Sequence, residues 1–405
     1  MVVALLRFPA AHRNRPVTGP LSVYLHIPFC RARCAYCAFT TYAGLESLIP
    51  AYVGALVEEI RLVGGERRLP VHTLYFGGGT PSLLTPGQLG RILNTLQDTF
   101  SLSPDAEISL EANPGTVTRD GLQALRSMGV NRLSLGIQSV NPDELKLLGR
   151  IHSLPEARAA FSWAREAGFD NVTVDLIYGL PNQTLAHWQA TVEAVLAWEP
   201  DHLSLYALAV EDGTPLARRI ERGEIPAPDP DLTADMYAWA GERLESAGLM
   251  HYEISNWAVP GYECRHNLQY WHNGEFLGFG VGAHGAMRGC RYWNVAGVEA
   301  YIAQIEGSGR RDFPFSPALE AYEVIDKPTA MAETMILGLR LIQEGVRADV
   351  FEARFGCTLD EMYGPVIKDL TALGLMERTD DGVWLTRRAY FVSNQVFVRF
   401  LPDES

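Results

Sequence analysis

The chain has 405 residues, of which 47% are hydrophobic and 20% charged, and a formal charge of −14. That length exceeds what one core usually fills, so a large domain plus a smaller one is expected; the acidic balance argues against a nucleic-acid partner, and no apolar run approaches the ~20 residues that span a bilayer. Six cysteines in so long a chain do not make a disulfide framework, which points to a reducing, cytoplasmic setting in which clustered cysteines serve metals or catalysis.

The opening stretch MVVALLRFPAAHRNRP puts an apolar run ahead of its basic residues, the reverse of a secretory signal, and residues 1–20 are expected to form a loosely ordered leader. From there to about residue 210 one theme repeats. Apolar, β-branched or aromatic runs occur at 22–29, 72–79, 107–114, 131–139, 171–181 and 202–209. Between them, residues 51–64, 86–100, 119–129, 154–168 and 185–199 carry apolar side chains at helical spacing, several ending at Gly or Pro. Strand alternating with helix implies parallel strands. Six such units predict a partial (β/α)6 TIM-like barrel, with a doubly wound open sheet as the competing topology. PAPDPD (226–231) reads as a linker, and helical patterning returns at 232–248. The barrel with its extension is assigned to 21–310, and 311–405, with helices followed by a short strand pair, to a winged-helix-like domain.

The strand ends carry residues that are odd for strands: Cys30, Gly78 with Gly79, Glu111, Gln138, Asp175 and the small Ala207. Active sites in such sheets lie at the carboxyl ends of the strands, so these groups are expected to converge on one mouth. Cys30, Cys34 and Cys37 form a CxxxCxxC triplet just past the first strand. Three local thiolates can hold a cubane iron–sulfur cluster and leave one iron open as a Lewis acid. Structural zinc, with His26 or Cys264 as a fourth ligand, is the rival reading; three buried apolar cysteines are the bland one.

CxxxCxxC followed by an aromatic residue, and the YFGGGTP loop (75–81), resemble radical S-adenosylmethionine (SAM) enzymes. YLHIPFC, SLEANP, LSLGIQS, LGRIHS and DLIYGLPNQT extend the resemblance, over roughly residues 20–400, to the coproporphyrinogen-III-oxidase-like (HemN-like) family. The oxidase branch carries a further cysteine where this chain has Phe39; HNLQYW, with His266, Asn267, Tyr270 and Trp271, is similar to the HNxxYW motif of the HemW-type heme-chaperone branch. Ala38, Thr40 and Thr41 depart from the acidic and amide residues usual there.

The resemblance implies a 4Fe-4S cluster on Cys30, Cys34 and Cys37. It implies SAM surrounded by Tyr24, Tyr36, Gly78, Gly79, Thr80, Glu111, Gln138, Arg150, Asp175 and Ala207. Glu111 or Asp175 would accept from the ammonium or ribose hydroxyls, and Arg150 would pair with the carboxylate. It implies heme as well, with His266 beside Tyr270 and Trp271 as ligand and aromatic surface; Cys264 and His284 are secondary candidates, and a satisfied core histidine is the bland alternative for His266. Three functions follow as expectations. The first is a heme chaperone delivering heme to acceptor hemoproteins, with a homodimer and a peripheral membrane contact left open. The second is a radical enzyme acting on a porphyrinogen propionate or transferring a methyl group. The third is a zinc-stabilised adaptor.

Overall fold

The computed structural model describes residues 9, 17, 19–307, 309 and 311–402. The leader expected over 1–20 lies outside the described residues except at 9, 17, 19 and 20. All six expected strands form: β1 (Leu21–Ile27), β2 (Pro70–Gly78), β3 (Ser101–Ala112), β4 (Arg132–Gln138), β5 (Asn171–Tyr178) and β6 (His202–Ala207). They pair as parallel neighbours in the order in which they occur in the chain. A doubly wound sheet reverses its order at a switch point. This one does not, so the barrel-type reading holds over the competing topology.

The helices fall where the apolar stripes predict. They are α1 (Ile49–Gly64), α2 (Pro86–Thr99), α3 (Arg119–Ser127), α4 (Pro142–Leu148), α5 (Leu154–Glu166) and α6 (Leu185–Leu196). Local chemistry fixes their starts. Thr85 and Gln88 cap α2 reciprocally, with Pro86 in its first turn, and Ser153 with Glu156 does the same for α5. Strand alternation then sorts the side chains. In β4, Leu133, Leu135 and Ile137 join Leu122 of α3 and Phe161 of α5 in one apolar core, each leucine worth ~1.5–3 kcal/mol on burial. Arg132, Ser134, Gly136 and Gln138 face the other way, into a cavity.

The sheet is wider than the sequence suggests. After α7 (Pro215–Glu221) and α8 (Pro230–Ser246), β7 (Met250–Glu253) and β8 (Asn256–Ala258) extend it antiparallel beyond β6. The linker read at 226–231 is shorter than expected, because Asp229 caps α8 and Pro230 opens it. After α9 (Arg265–Trp271), β9 (Phe276–Phe279) pairs parallel to β1, and β10 (His284–Met287), β11 (Cys290–Asn294) and β12 (Leu319–Val324) continue antiparallel, with α10 (Val298–Glu306) between the last two. The resulting twelve-stranded sheet runs β12-β11-β10-β9-β1-β2-β3-β4-β5-β6-β8-β7. Its two ends do not pair with each other, so the barrel is open.

A second apolar core gathers Met331, Phe351, Ile367 and Val383. It is built from α11 (Lys327–Gly338), β13 (Val346–Arg347), α12 (Ala348–Phe355), α13 (Leu359–Ala372), β14 (Met376–Thr379) and β15 (Gly382–Leu385), with the strands ordered β13-β15-β14. Helices followed by a strand pair make this the winged-helix-like arrangement read from the sequence. The main sheet reaches past residue 310, because β12 hydrogen-bonds to β11.

Candidate functional site

The cysteine loop leaves β1 and is pinned from three sides. Phe29–Cys30 pairs with Tyr42–Ala43. The Ala35 N–H donates to the Leu148 carbonyl at the end of α4, and the Ala35 carbonyl accepts from the Leu216 N–H at the start of α7. Gly149 lets α4 approach, since it stands at φ +72° and a Cβ there would lie 3.1 Å from the Ala35 nitrogen. The three thiols are free and partly exposed. Thr80 Oγ1 donates to the Cys30 sulfur at 3.5 Å, and Arg150 Nη1 lies 3.3 Å from the Cys34 sulfur. Burial raises the Cys30 thiol pKa, with Thr80 and Arg150 opposing that shift.

Beside this loop, β2 ends in Gly77 and Gly78, and Gly79 follows it. Gly78 stands at φ +107°, and a Cβ on Gly79 would lie 2.7 Å from the Phe29 carbonyl oxygen, so only glycine lets these two strand ends touch. The Gly78 N–H donates to Glu111 Oε2 at 3.1 Å, and Tyr75 donates to Oε1 at 2.9 Å. Burial, then the charge of Asp175, pushes the Glu111 carboxyl up to about 7 against these hydrogen bonds. Burial also raises the Asp175 pKa, though Ser134 donates to it at 2.8 Å. Gln138 adopts the left-handed φ of 70° as β4 ends.

These groups line one cavity of about 430 Å³ at the carboxyl ends of the strands, within the range of small-molecule and cofactor sites. All three cysteines face it, with Tyr36, Gly78, Gly79, Thr80, Glu111, Gln138, Arg150, Asp175, Ala207 and Asn267. Sequence reasoning missed Arg132, Ser134, His202 and Ser204, which also line it. Period-two alternation would have found Ser134, two and four residues before Gly136 and Gln138; pairing with Asp175 finds Ser204.

Four expected site residues lie elsewhere. Tyr24 sits a layer behind, its hydroxyl 3.0 Å from His26 Nδ1 and its ring stacked on Tyr75. His266, expected to offer an imidazole to heme iron, is not among the residues lining the cavity. It is buried, Nδ1 is 2.8 Å from Thr73 Oγ1, and Nε2 is 2.8 Å from the Tyr270 hydroxyl. Burial pushes it down to about 3, so it stays neutral. Tyr270 is occupied by that bond and by Phe276, and Trp271 lies under Arg340, whose guanidinium is 4.4 Å from its ring. HNxxYW thus packs α9 against the barrel, with the α9 N–H groups of Arg265 and His266 donating to Glu107 at 3.0 Å.

The donor set fits the groups that the sequence implies. Arg150 Nε and Arg132 Nε and Nη2 are buried without partners, so the cavity wall offers N–H donors to an acceptor-rich occupant, while Glu111 and Asp175 offer carboxylates. Among the described residues no three His, Cys, Asp or Glu side chains converge tightly enough for a single metal ion. A cubane makes a different demand, one thiolate for each of three irons.

A barrel of sequentially ordered strands, a three-cysteine loop after the first and a glycine turn after the second together define the radical SAM class. The Radical SAM superfamily model matches residues 24–195, and the HemN C-terminal domain model matches 325–392. The chain is 36% identical over 385 residues to the heme chaperone HemW of Lactococcus lactis, covering 95% of this chain and 98% of that one. It is 40% identical over 386 residues to the HemW of Mycobacterium tuberculosis, covering 94% and 95%. The solved coproporphyrinogen III oxidase (HemN) of Escherichia coli superposes with a TM-score of 0.83 at 26% identity, covering 96% of this chain and 92% of that one. The chain belongs to the HemW-type heme-chaperone branch of the HemN-like radical SAM family. No helix among the described residues is long and apolar enough to cross a membrane.

Proposed function

We propose that this protein binds heme and passes it to acceptor hemoproteins, and that it carries a 4Fe-4S cluster with SAM on its open iron. The observation that carries the cofactor reading is the meeting of three free thiols, the Gly78–Thr80 turn, Glu111, Asp175 and Arg150 on one cavity. Cys30, Cys34 and Cys37 would hold the cluster, which when bound supplies an electron and an open Lewis-acid site. Arg150 is suited to the SAM carboxylate, Glu111 to its ammonium and Asp175 to its ribose hydroxyls. The Gly78–Gly79 backbone excludes side chains from that contact. Similarity to HemW chaperones over nearly the whole chain supports heme as cargo. Six free cysteines agree with a reducing cytoplasm.

Anaerobic reconstitution with iron and sulfide tests the cluster. Iron should be retained by the parent and lost in Cys30→Ser, Cys34→Ser and Cys37→Ser; a colourless zinc protein would overturn the reading. Transfer of heme from the reconstituted protein to an apo-hemoprotein tests the chaperone. The likeness to coproporphyrinogen III oxidase keeps a second reading, a radical enzyme on a porphyrinogen. Consumption of SAM with formation of porphyrin would favour it. Phe39, at the oxidase branch's extra cysteine, argues against it.

A further inference from the structure

The hydroxyl of Thr73 decides which nitrogen of His266 carries the proton. Thr73 has one hydroxyl hydrogen and donates it to Ser22 Oγ at 2.6 Å. Toward His266 Nδ1, 2.8 Å away, it can then only accept. Nδ1 therefore carries the N–H, and in a neutral imidazole Nε2 is left as the bare acceptor. The Tyr270 hydroxyl lies 2.8 Å from Nε2 and donates to it. The chain continues behind Thr73, where His72 Nε2 is 3.2 Å from Ser22 Oγ. Ser22 and Thr73 are direct partners across β1 and β2, so the relay is built into the register of the sheet.

The ring is held in place as well as in tautomer. Tyr75 stacks on it with centroids 5.0 Å apart at 27°, and Tyr270 meets it edge-on at 5.0 Å and 88°. An imidazole nitrogen has a single in-plane lone pair, so a hydroxyl hydrogen and an iron atom compete for the same direction. Histidines that ligate metals commonly donate their other N–H to a fixed acceptor, which sets the tautomer and the ring plane. Thr73 is such an acceptor. Tyr270, one turn further along α9 and partly exposed, occupies the position that iron would need.

We infer that Thr73, backed by Ser22, is a positioning residue that holds His266 as the Nδ1–H tautomer with Nε2 directed at heme iron, and that Tyr270 caps this lone pair until heme displaces it. The inference rests on the heme-chaperone reading with the α9 histidine as ligand, and its first test needs no heme. Nitrogen-15 spectra of the full chain labelled on histidine report the tautomer, with the His266 signals assigned by their loss in His266→Gln. The parent should show a protonated Nδ1 and a bare Nε2. Thr73→Val should shift His266 to the Nε2–H form, and Thr73→Ser should restore the parent pattern. Ser22→Ala should shift it too, although no atom touching His266 changes, because it frees the Thr73 hydrogen for Nδ1. Ferric heme is then titrated into the anaerobically reconstituted chain and followed at the Soret band. Thr73→Val should weaken binding about tenfold or more, with Thr73→Ser near the parent, and Tyr270→Phe should speed association severalfold. A bare Nδ1 in the parent, or one tautomer in the parent, Thr73→Val and Ser22→Ala alike, would overturn the positioning role. Slower association in Tyr270→Phe would overturn the cap. Tautomers as expected but no heme bound by the parent would overturn the chaperone reading, and the loading role with it.

Discussion

Arg150 ties the cysteine loop to the barrel: its Nη1 lies 3.3 Å from the Cys34 sulfur while Nη2 donates to the Gly136 carbonyl at 2.5 Å. A planar fork makes the two contacts from separate nitrogens, where an ammonium has a single nitrogen to offer both. Arg150→Met should therefore lower stability by ~1.5–3 kcal/mol, the range for hydrogen bonds to a charged group. Arg150→Lys should recover only part of that. Urea melts give the first number, and calorimetric SAM titration should show affinity down about tenfold or more in both variants. Wild-type behaviour of Arg150→Lys in both assays would mean that the two-point link is not needed.

Glu111 sets a pH dependence whose sign follows from its raised pKa. With its carboxyl pushed up to about 7 in the folded chain, the native state holds a proton that the unfolded state, near 4.3, has released. Between those values folding takes up a proton, so this contribution falls as pH rises from about 4.5 to 7. Glu111→Gln should make the ligand-free chain more stable at pH 8 by on the order of 1–3 kcal/mol, and change it little at pH 4. The same variant should lose SAM affinity, because a neutral amide cannot pair with an ammonium. Parent SAM binding near pH 6.5 should release protons, measurable as a buffer-dependent calorimetric heat.

The barrel was legible because its signals are local and repeated. Period-two alternation located β4, and the same pattern predicts that Ser134 and Gln138 share a face. The cysteine triplet and glycine turn needed only spacing and chemistry. β9 to β12 were not legible. They are short, and the first of them, β9, is specified by pairing with a strand far away in the chain, as Leu277 with Val23, while β10 to β12 then pair in turn onto it. HNLQYW is ambiguous for a different reason. An imidazole that ligates iron and one that bonds Thr73 and Tyr270 have the same sequence. Only the surroundings, Glu107 at the start of α9 and Tyr75 stacked on His266, distinguish them.

Gly79 tests how closely β2 must meet the cysteine loop. Its N–H donates to the Ile27 carbonyl at 2.9 Å, and an added Cβ would lie 2.7–2.8 Å from the carbonyl oxygens of Phe29 and Ile27. Both obstacles are backbone, which cannot rotate aside. Gly79→Ala should cost ~1–3 kcal/mol as overpacking and shift Cys30. Lower iron retention after reconstitution should accompany the loss in urea midpoint. Gly87→Ala, at a helical position with open space, is the control and should leave both unchanged.

Glu59 holds the turn between β9 and β10. It is fully buried on α1 and accepts from the Gly280 N–H at 2.8 Å, from Asn294 at 2.6 Å and from the Tyr301 hydroxyl at 2.6 Å. One carboxylate thus gathers the end of β9, the end of β11 and α10 onto the first barrel helix. Tyr52, two turns earlier on α1, receives the Val281 N–H and donates to the His26 carbonyl. Glu59→Ala would leave several buried donors without an acceptor, each costing ~1–3 kcal/mol, so a loss of at least ~3 kcal/mol is expected in denaturant melts. Glu59→Gln keeps one carbonyl oxygen and should lose less. Iron retention, measured below the unfolding transition, should change little in either variant. The cysteine loop is held instead by α4, α7 and Arg150. A fall of iron retention alongside stability would mean that α1 supports the cysteine loop as well as the β9–β11 turns.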